Sequence, residues 1–126
     1  MKKFLNLLDR PITIHRCLIE ITGSLTAGLY LTQAVYWQKR LTNESNPWWH
    51  KSQIEWTDET SLSRREQDTA RKRLVQLGIL EVRRAGMPAR LLYRVNQSRL
   101  TALLSARSLS TREDKVSAQD PVELIH

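Results

Sequence analysis

Apolar positions along this chain follow two periods. From Ser24 to Leu41 and from Ser63 to Leu77 they recur at helical spacing, whereas Ile79–Arg84 and Arg90–Val95 alternate as strands do. The segment Ser63–Leu77, SRREQDTARKRLVQL, puts Ala70, Leu74 and Leu77 on one stripe. Arg65, Asp68, Lys72 and Gln76 fall on the opposite side, with Arg64, Thr69 and Arg71 on the flanks. Ser63 followed by Glu66 predicts a capping box at the start, and Gly78 supplies the left-handed residue that ends the helix at little cost. One face is thus suited to a core and the other to a negatively charged partner.

Ser52 and Glu55 repeat the capping box at the head of a shorter helix, SQIEWTDET, ending near Thr60. Ser61 and Leu62 leave room only for a tight turn, the connection of a helix-turn-helix, with Ile54, Trp56 and Leu62 available to pack the two helices together. The two alternating runs are joined by residues 85–89 and read as a hairpin, in which Leu91, Tyr93 and Val95 share one face and Leu92 and Arg94 the other. Trp48-Trp49-His50 predicts a short strand pairing with that hairpin, its tryptophans packing the core and sheet. Helix, short strand, helix, helix and hairpin follow one another in the order of a winged helix.

Upstream, Ser24–Leu41 is apolar on two opposed stripes: Leu25, Leu29, Thr32 and Tyr36 on one, and Ala27, Tyr30, Leu31, Ala34, Trp37 and Leu41 on the other. Such a helix calls for cover on both sides. One stripe would pack on the helix-turn-helix, and the other on the N-terminal segment or on a second subunit, which makes residues 24–41 a candidate homodimer surface. Phe4, Leu5, Leu7 and Leu8 predict a short anchoring turn. Pro11–Ile21 would begin extended and continue as a short helix closed by Gly23, and Thr42–Pro47 has the composition of a loop. Leu100, Leu103 and Leu104 place a last helix over Ser98–Ala106. The expected fold class is therefore α+β, a winged helix-turn-helix over residues 1–106 with an added N-terminal helical layer and a C-terminal helix. Residues 107–126 are polar and of mixed charge and are expected to be a disordered tail, a candidate contact for a protein partner.

The 126 residues carry a net charge of +7, and that charge is concentrated. Between Ser63 and Arg94 stand nine basic side chains (Arg64, Arg65, Arg71, Lys72, Arg73, Arg83, Arg84, Arg90, Arg94) against Glu66, Asp68 and Glu81, a surplus of six. Such a patch is the electrostatic footprint of nucleic-acid binding, driven by the release of counterions from phosphates. An anionic membrane would need the charge beside a broad exposed apolar face, which no helix here offers. The single cysteine, Cys17, rules out an intrachain disulfide and suits a reducing compartment. MKKFLNLL opens like a signal peptide but is interrupted by Asp9-Arg10-Pro11, and no apolar run reaches the ~18 residues of a membrane span. A cytoplasmic location is expected.

Motifs for catalysis are missing. The glycines (Gly23, Gly28, Gly78, Gly86) form no phosphate loop. His15 and Cys17 lack a second pair to complete a metal site, and His50 and His126 stand alone. Glu55, Asp58 and Glu59 suit a short exposed helix better than acid–base work. No enzyme, metal or cofactor is expected.

The run WWHKSQIEWTDETSLSRREQDTARKRLVQLGILEVRRAGMPARLLYRVN resembles the winged-helix domain of phage and plasmid replication-organiser proteins. So does GSLTAGLYLTQAVYWQKR, with its Gly-Ser start and Tyr-Trp end on one long helix. The resemblance spans roughly Arg10 to Asn96, and both the Leu-Ser-Arg-Arg-Glu helix start and the Leu-Gly-Ile-Leu exit match. It implies a mobile-element protein of replication or transcription control. Many such proteins continue into a domain that recruits a helicase or primase, for which this chain is expected to be too short.

The expected partner is double-stranded DNA. The helix would enter the major groove, with Arg64, Arg65, Asp68, Thr69 and Lys72 near base edges. Arginine reads guanine through two parallel hydrogen bonds, and a carboxylate accepts from cytosine. Arg83, Arg84 and Arg90 would meet the backbone or the minor groove, and Arg71 and Arg73 phosphates or carboxylates. Two other functions fit the same pattern: a basic face that modulates an acidic host protein (a polymerase, nuclease or defence complex), and a replication adaptor that binds DNA and recruits a partner through its tail.

Overall fold

Two capping boxes set the limits of the central helices. Ser52 and Glu55 exchange side-chain and backbone hydrogen bonds at the head of α4 (Gln53–Thr60), and Ser63 and Glu66 do the same for α5 (Arg64–Gln76). The computed structural model describes residues 2–41 and 45–109. Before this pair come α1 (Lys2–Asn6), α2 (Arg16–Thr22), α3 (Leu25–Arg40) and β1 (Trp49–His50). After it come β2 (Leu80–Ala85), β3 (Arg90–Val95) and a helix over residues 97–109, here α6. The result is an α+β arrangement with a three-stranded antiparallel sheet in the order β1-β3-β2, compatible with a winged helix.

The turn between α4 and α5 spans Ser61–Ser63, with Ser61 at φ 61° and Leu62 buried. Gln67, on the buried side of α5, donates to the Leu62 carbonyl at 3.0 Å and to Thr57 Oγ1 at 2.9 Å, so it fixes the turn and ties the helices together. Trp56 and Leu62 join the core as their positions predict. Ile54 does not, being 72% exposed. Trp56 and Thr60 are the residues this short helix buries, and Ile54 lies off that face.

β3 pairs with β2 from Leu80↔Val95 to Ala85↔Arg90, and with β1 at Trp49↔Tyr93 and His50↔Leu92. Tyr93 and Val95 are buried, in keeping with the alternation, and Trp49 joins them. The centre of the core is aromatic: Trp56 stacks on Tyr30 at 3.9 Å between centroids and meets Tyr93 edge-on at 5.8 Å. Gln38 of α3 ties the sheet down from beneath. Its Oε1 accepts from Trp49 Nε1 and from the Val95 amide, both at 2.8 Å, which satisfies a β3 group beyond the end of the short β1.

On α3, Ala27, Tyr30, Leu31 and Ala34 are buried against this core. α2 covers much of the second side. It approaches so closely at Gly28 that a Cβ there would lie 2.9 Å from Ile19 Cγ1. The cover is partial, because Leu25 and Tyr36 remain 62% and 40% exposed. α2 ends at Gly23, φ 77°, and Arg73 of α5 donates to its last carbonyl, Thr22 O, at 2.8 Å. The anchoring turn expected from Phe4, Leu5, Leu7 and Leu8 does not form. α1 leaves all four exposed, since five residues ahead of Pro11 make too short a helix to reach the core. α6 runs past the expected limit at Ala106, and Arg107 pairs with Glu20 of α2. The remainder of the expected tail, residues 110–126, lies outside the described residues.

Candidate nucleic-acid interface

Because α5 buries Gln67, Ala70 and Leu74, the positions a half-turn away point outward. Arg65, Thr69 and Lys72 occupy this ridge and are exposed, as their spacing predicts. A quarter-turn toward the hairpin lie Arg64, Asp68 and Arg71. These three, with Arg84 and Arg90 of the hairpin, line a cleft of about 300 Å³ between the helix and the sheet. The structure therefore sorts the candidates into an outward ridge and a cationic cleft.

The nine basic residues of this region are not equivalent. Arg71 donates to Asp68 Oδ1 at 3.0 Å, Arg94 pairs with Glu81 at 2.6 Å, and Arg73 holds the end of α2. Arg71 and Arg73 thus face protein groups, a carboxylate for one and a backbone carbonyl for the other. Arg83 and Arg84 are neighbours on a strand and so lie on opposite faces of the sheet. Arg84 lines the cleft, whereas Arg83 stacks over the Trp48 ring at 4.3 Å, on the face it shares with Arg94. Among the described residues, Arg64, Arg65, Lys72, Arg84 and Arg90 are exposed and carry no ion pair.

The floor of the cleft is polar and incompletely paired. Trp56 Nε1 and Gln67 Oε1 are buried without a hydrogen-bond partner, while the Tyr30 hydroxyl interacts with Arg71 and Tyr93. Burial drives the Tyr30 phenol far above its ordinary pKa, and Tyr93 adds to the effect while Arg71 opposes it. The orientation of Gln67 is settled, since its Nε2 already donates to Leu62 and Thr57.

Sequence reasoning missed a second polar centre beside this site. Glu59, which spacing alone assigns to an exposed helix, accepts from Gln33 Nε2 and Trp37 Nε1, both at 2.6 Å, and pairs with the buried Lys51. The Lys51 ammonium also lies 4.0 Å from the centre of the Trp37 ring. Burial pushes the Glu59 carboxyl up, but the donors from Lys51, Trp37 and Gln33 outweigh it and hold the group below the ordinary glutamate range. The available signal was Gln33 and Trp37, four residues apart on one side of α3. His50 Nδ1 lies 2.8 Å from the Leu91 carbonyl and fastens the mouth of the cleft to β3.

No protein-family model, curated protein or solved structure matches this chain. Among the described residues no three His, Cys, Asp or Glu side chains gather as metal ligands, and no helix is long and apolar enough to cross a membrane.

Proposed function

We propose that this chain is a winged-helix protein that binds double-stranded DNA sequence-specifically and regulates the replication or transcription of a phage, plasmid or related element. α5 lies in the major groove, with Arg65, Asp68, Thr69 and Lys72 toward base edges, while Arg84 and Arg90 meet the sugar-phosphate backbone. The observation that carries this reading is the set of five exposed cations without ion pairs, Arg64, Arg65, Lys72, Arg84 and Arg90, on one surface of α5 and the hairpin. Exposed cations without ion pairs are what phosphate neutralisation needs, and the resemblance of the residue 10–96 sequence to replication-organiser proteins suggests a mobile element.

A mobility-shift assay with random-sequence duplex at roughly 50 mM salt is the first test. Retarded complexes are expected. Their absence would transfer the basic face to an acidic protein surface as its partner.

A further inference from the structure

Nearly all buried polar groups in a folded protein are paired, yet two in the wall of this cleft are not. Here they sit below a rim of arginines. One, Trp56 Nε1, is a donor, and the other, Gln67 Oε1, is an acceptor. Trp56 and Gln67 line the cleft and are each 1% exposed, so these are built features of its wall and not loose surface groups. Above them Arg64, Arg84 and Arg90 supply positive charge and make no ion pair, while the cleft's carboxylate, Asp68, is paired with Arg71.

We infer that this cleft is a binding site for a phosphate monoester. The rim arginines and the Trp56 indole N–H match the phosphate oxygens. Gln67 Oε1 cannot donate, and its amide cannot turn over without giving up the bonds to Leu62 and Thr57. It therefore asks for a ligand with a donor of its own, which a singly protonated phosphate monoester carries as P–OH and an internal phosphodiester lacks. A volume near 300 Å³ at the lower end of the ligand-pocket range leaves room for the phosphate and part of whatever bears it. Two sources present this chemistry: a free phosphate or small phosphorylated molecule, and the 5′-phosphate at the end of a DNA strand. The inference stands apart from the duplex-binding reading, because free phosphate tests it without DNA.

The experiment uses the full chain at about pH 6, where a phosphate monoester is close to half singly protonated. Nitrogen–proton NMR follows the Trp56 indole and the Arg71 Nε–H, with the Trp56→Phe spectrum assigning the indole. One arm titrates inorganic phosphate against sodium chloride at matched ionic strength. The other compares two duplexes of one sequence, with 5′-phosphate or 5′-hydroxyl ends. Saturable shifts of both signals with phosphate, and not with chloride, are expected if the source is free. About tenfold tighter binding of the phosphorylated duplex is expected if the source is a strand end. Arg84→Ala should weaken the response about tenfold, and Arg64→Ala provides a second exposed position, while Lys39→Ala, outside the cleft, leaves it unchanged. If neither duplex binds while phosphate does, the duplex reading fails and the site stands. Equal affinity for the two duplexes together with no saturable response to phosphate would overturn the inference and leave buried water to satisfy the floor.

Discussion

The two flanks of α5 carry similar side chains in opposite circumstances. Toward α4 and α2, the Gln67 amide and the Arg73 guanidinium are bonded to protein groups at 2.8–3.0 Å, and they hold the turn and the end of α2. Toward the hairpin, Arg64, Arg84 and Arg90 have no ion pair, and Gln67 itself turns an unpaired oxygen. Polar residues on the first flank are part of the fold, whereas those on the second are available to something else. Charge alone does not separate them. What separates them is whether a backbone carbonyl or a neighbouring side chain lies within reach.

The largest effect should come from breaking the structural flank. Gln67→Ala strips partners from the Leu62 carbonyl and the Thr57 hydroxyl and is expected to lower unfolding free energy in urea by about 2–4 kcal/mol. On the outward ridge the effect should move from stability to recognition. Arg65→Ala should cost about 1–3 kcal/mol on the cognate site and relax the choice at one base pair, with the urea midpoint unchanged. Equal loss on cognate and scrambled duplexes would transfer base reading to the hairpin. Arg73→Ala should return to stability, removing the bond to Thr22 O at a cost of about 1 kcal/mol, with little change in DNA affinity.

The same contrast holds between adjacent residues on α4. Glu59 is held by Lys51, Gln33 and Trp37, while Asp58 is exposed. Since the folded Glu59 carboxyl lies below its ordinary range, the stability it contributes is fully present above that range. It is lost as pH falls through the lowered folded value. Thermal unfolding across mildly acidic pH should therefore decline less steeply for Glu59→Gln than for the unaltered chain. Asp58→Asn should stay within about 0.5 kcal/mol of it.

How much of this was legible in the sequence depended on the kind of signal. Local chemistry was fully written: both capping boxes, the ends of α4 and α5, and the alternation that buries Tyr93 and Val95. Long-range polar pairing was not. Gln38, Gln67 and Glu59 look like surface residues, because a hydrophobic period records which positions are apolar and not which polar groups meet a partner across the core. A count of charge cannot tell Arg84, in the cleft, from Arg83, stacked on Trp48 on the other face of the sheet. Strand alternation does contain that distinction. Ile54 and the apolar residues of α1 failed for the converse reason, since an apolar side chain is buried only if a partner surface lies opposite it.

The most direct test of the account is the salt dependence of duplex affinity. Five cations without ion pairs should neutralise about five phosphates, which gives a slope of log affinity against log salt of roughly −4 to −5. Arg84→Ala should reduce that slope by about one unit. A slope near zero would contradict the assignment of the α5–hairpin surface to DNA.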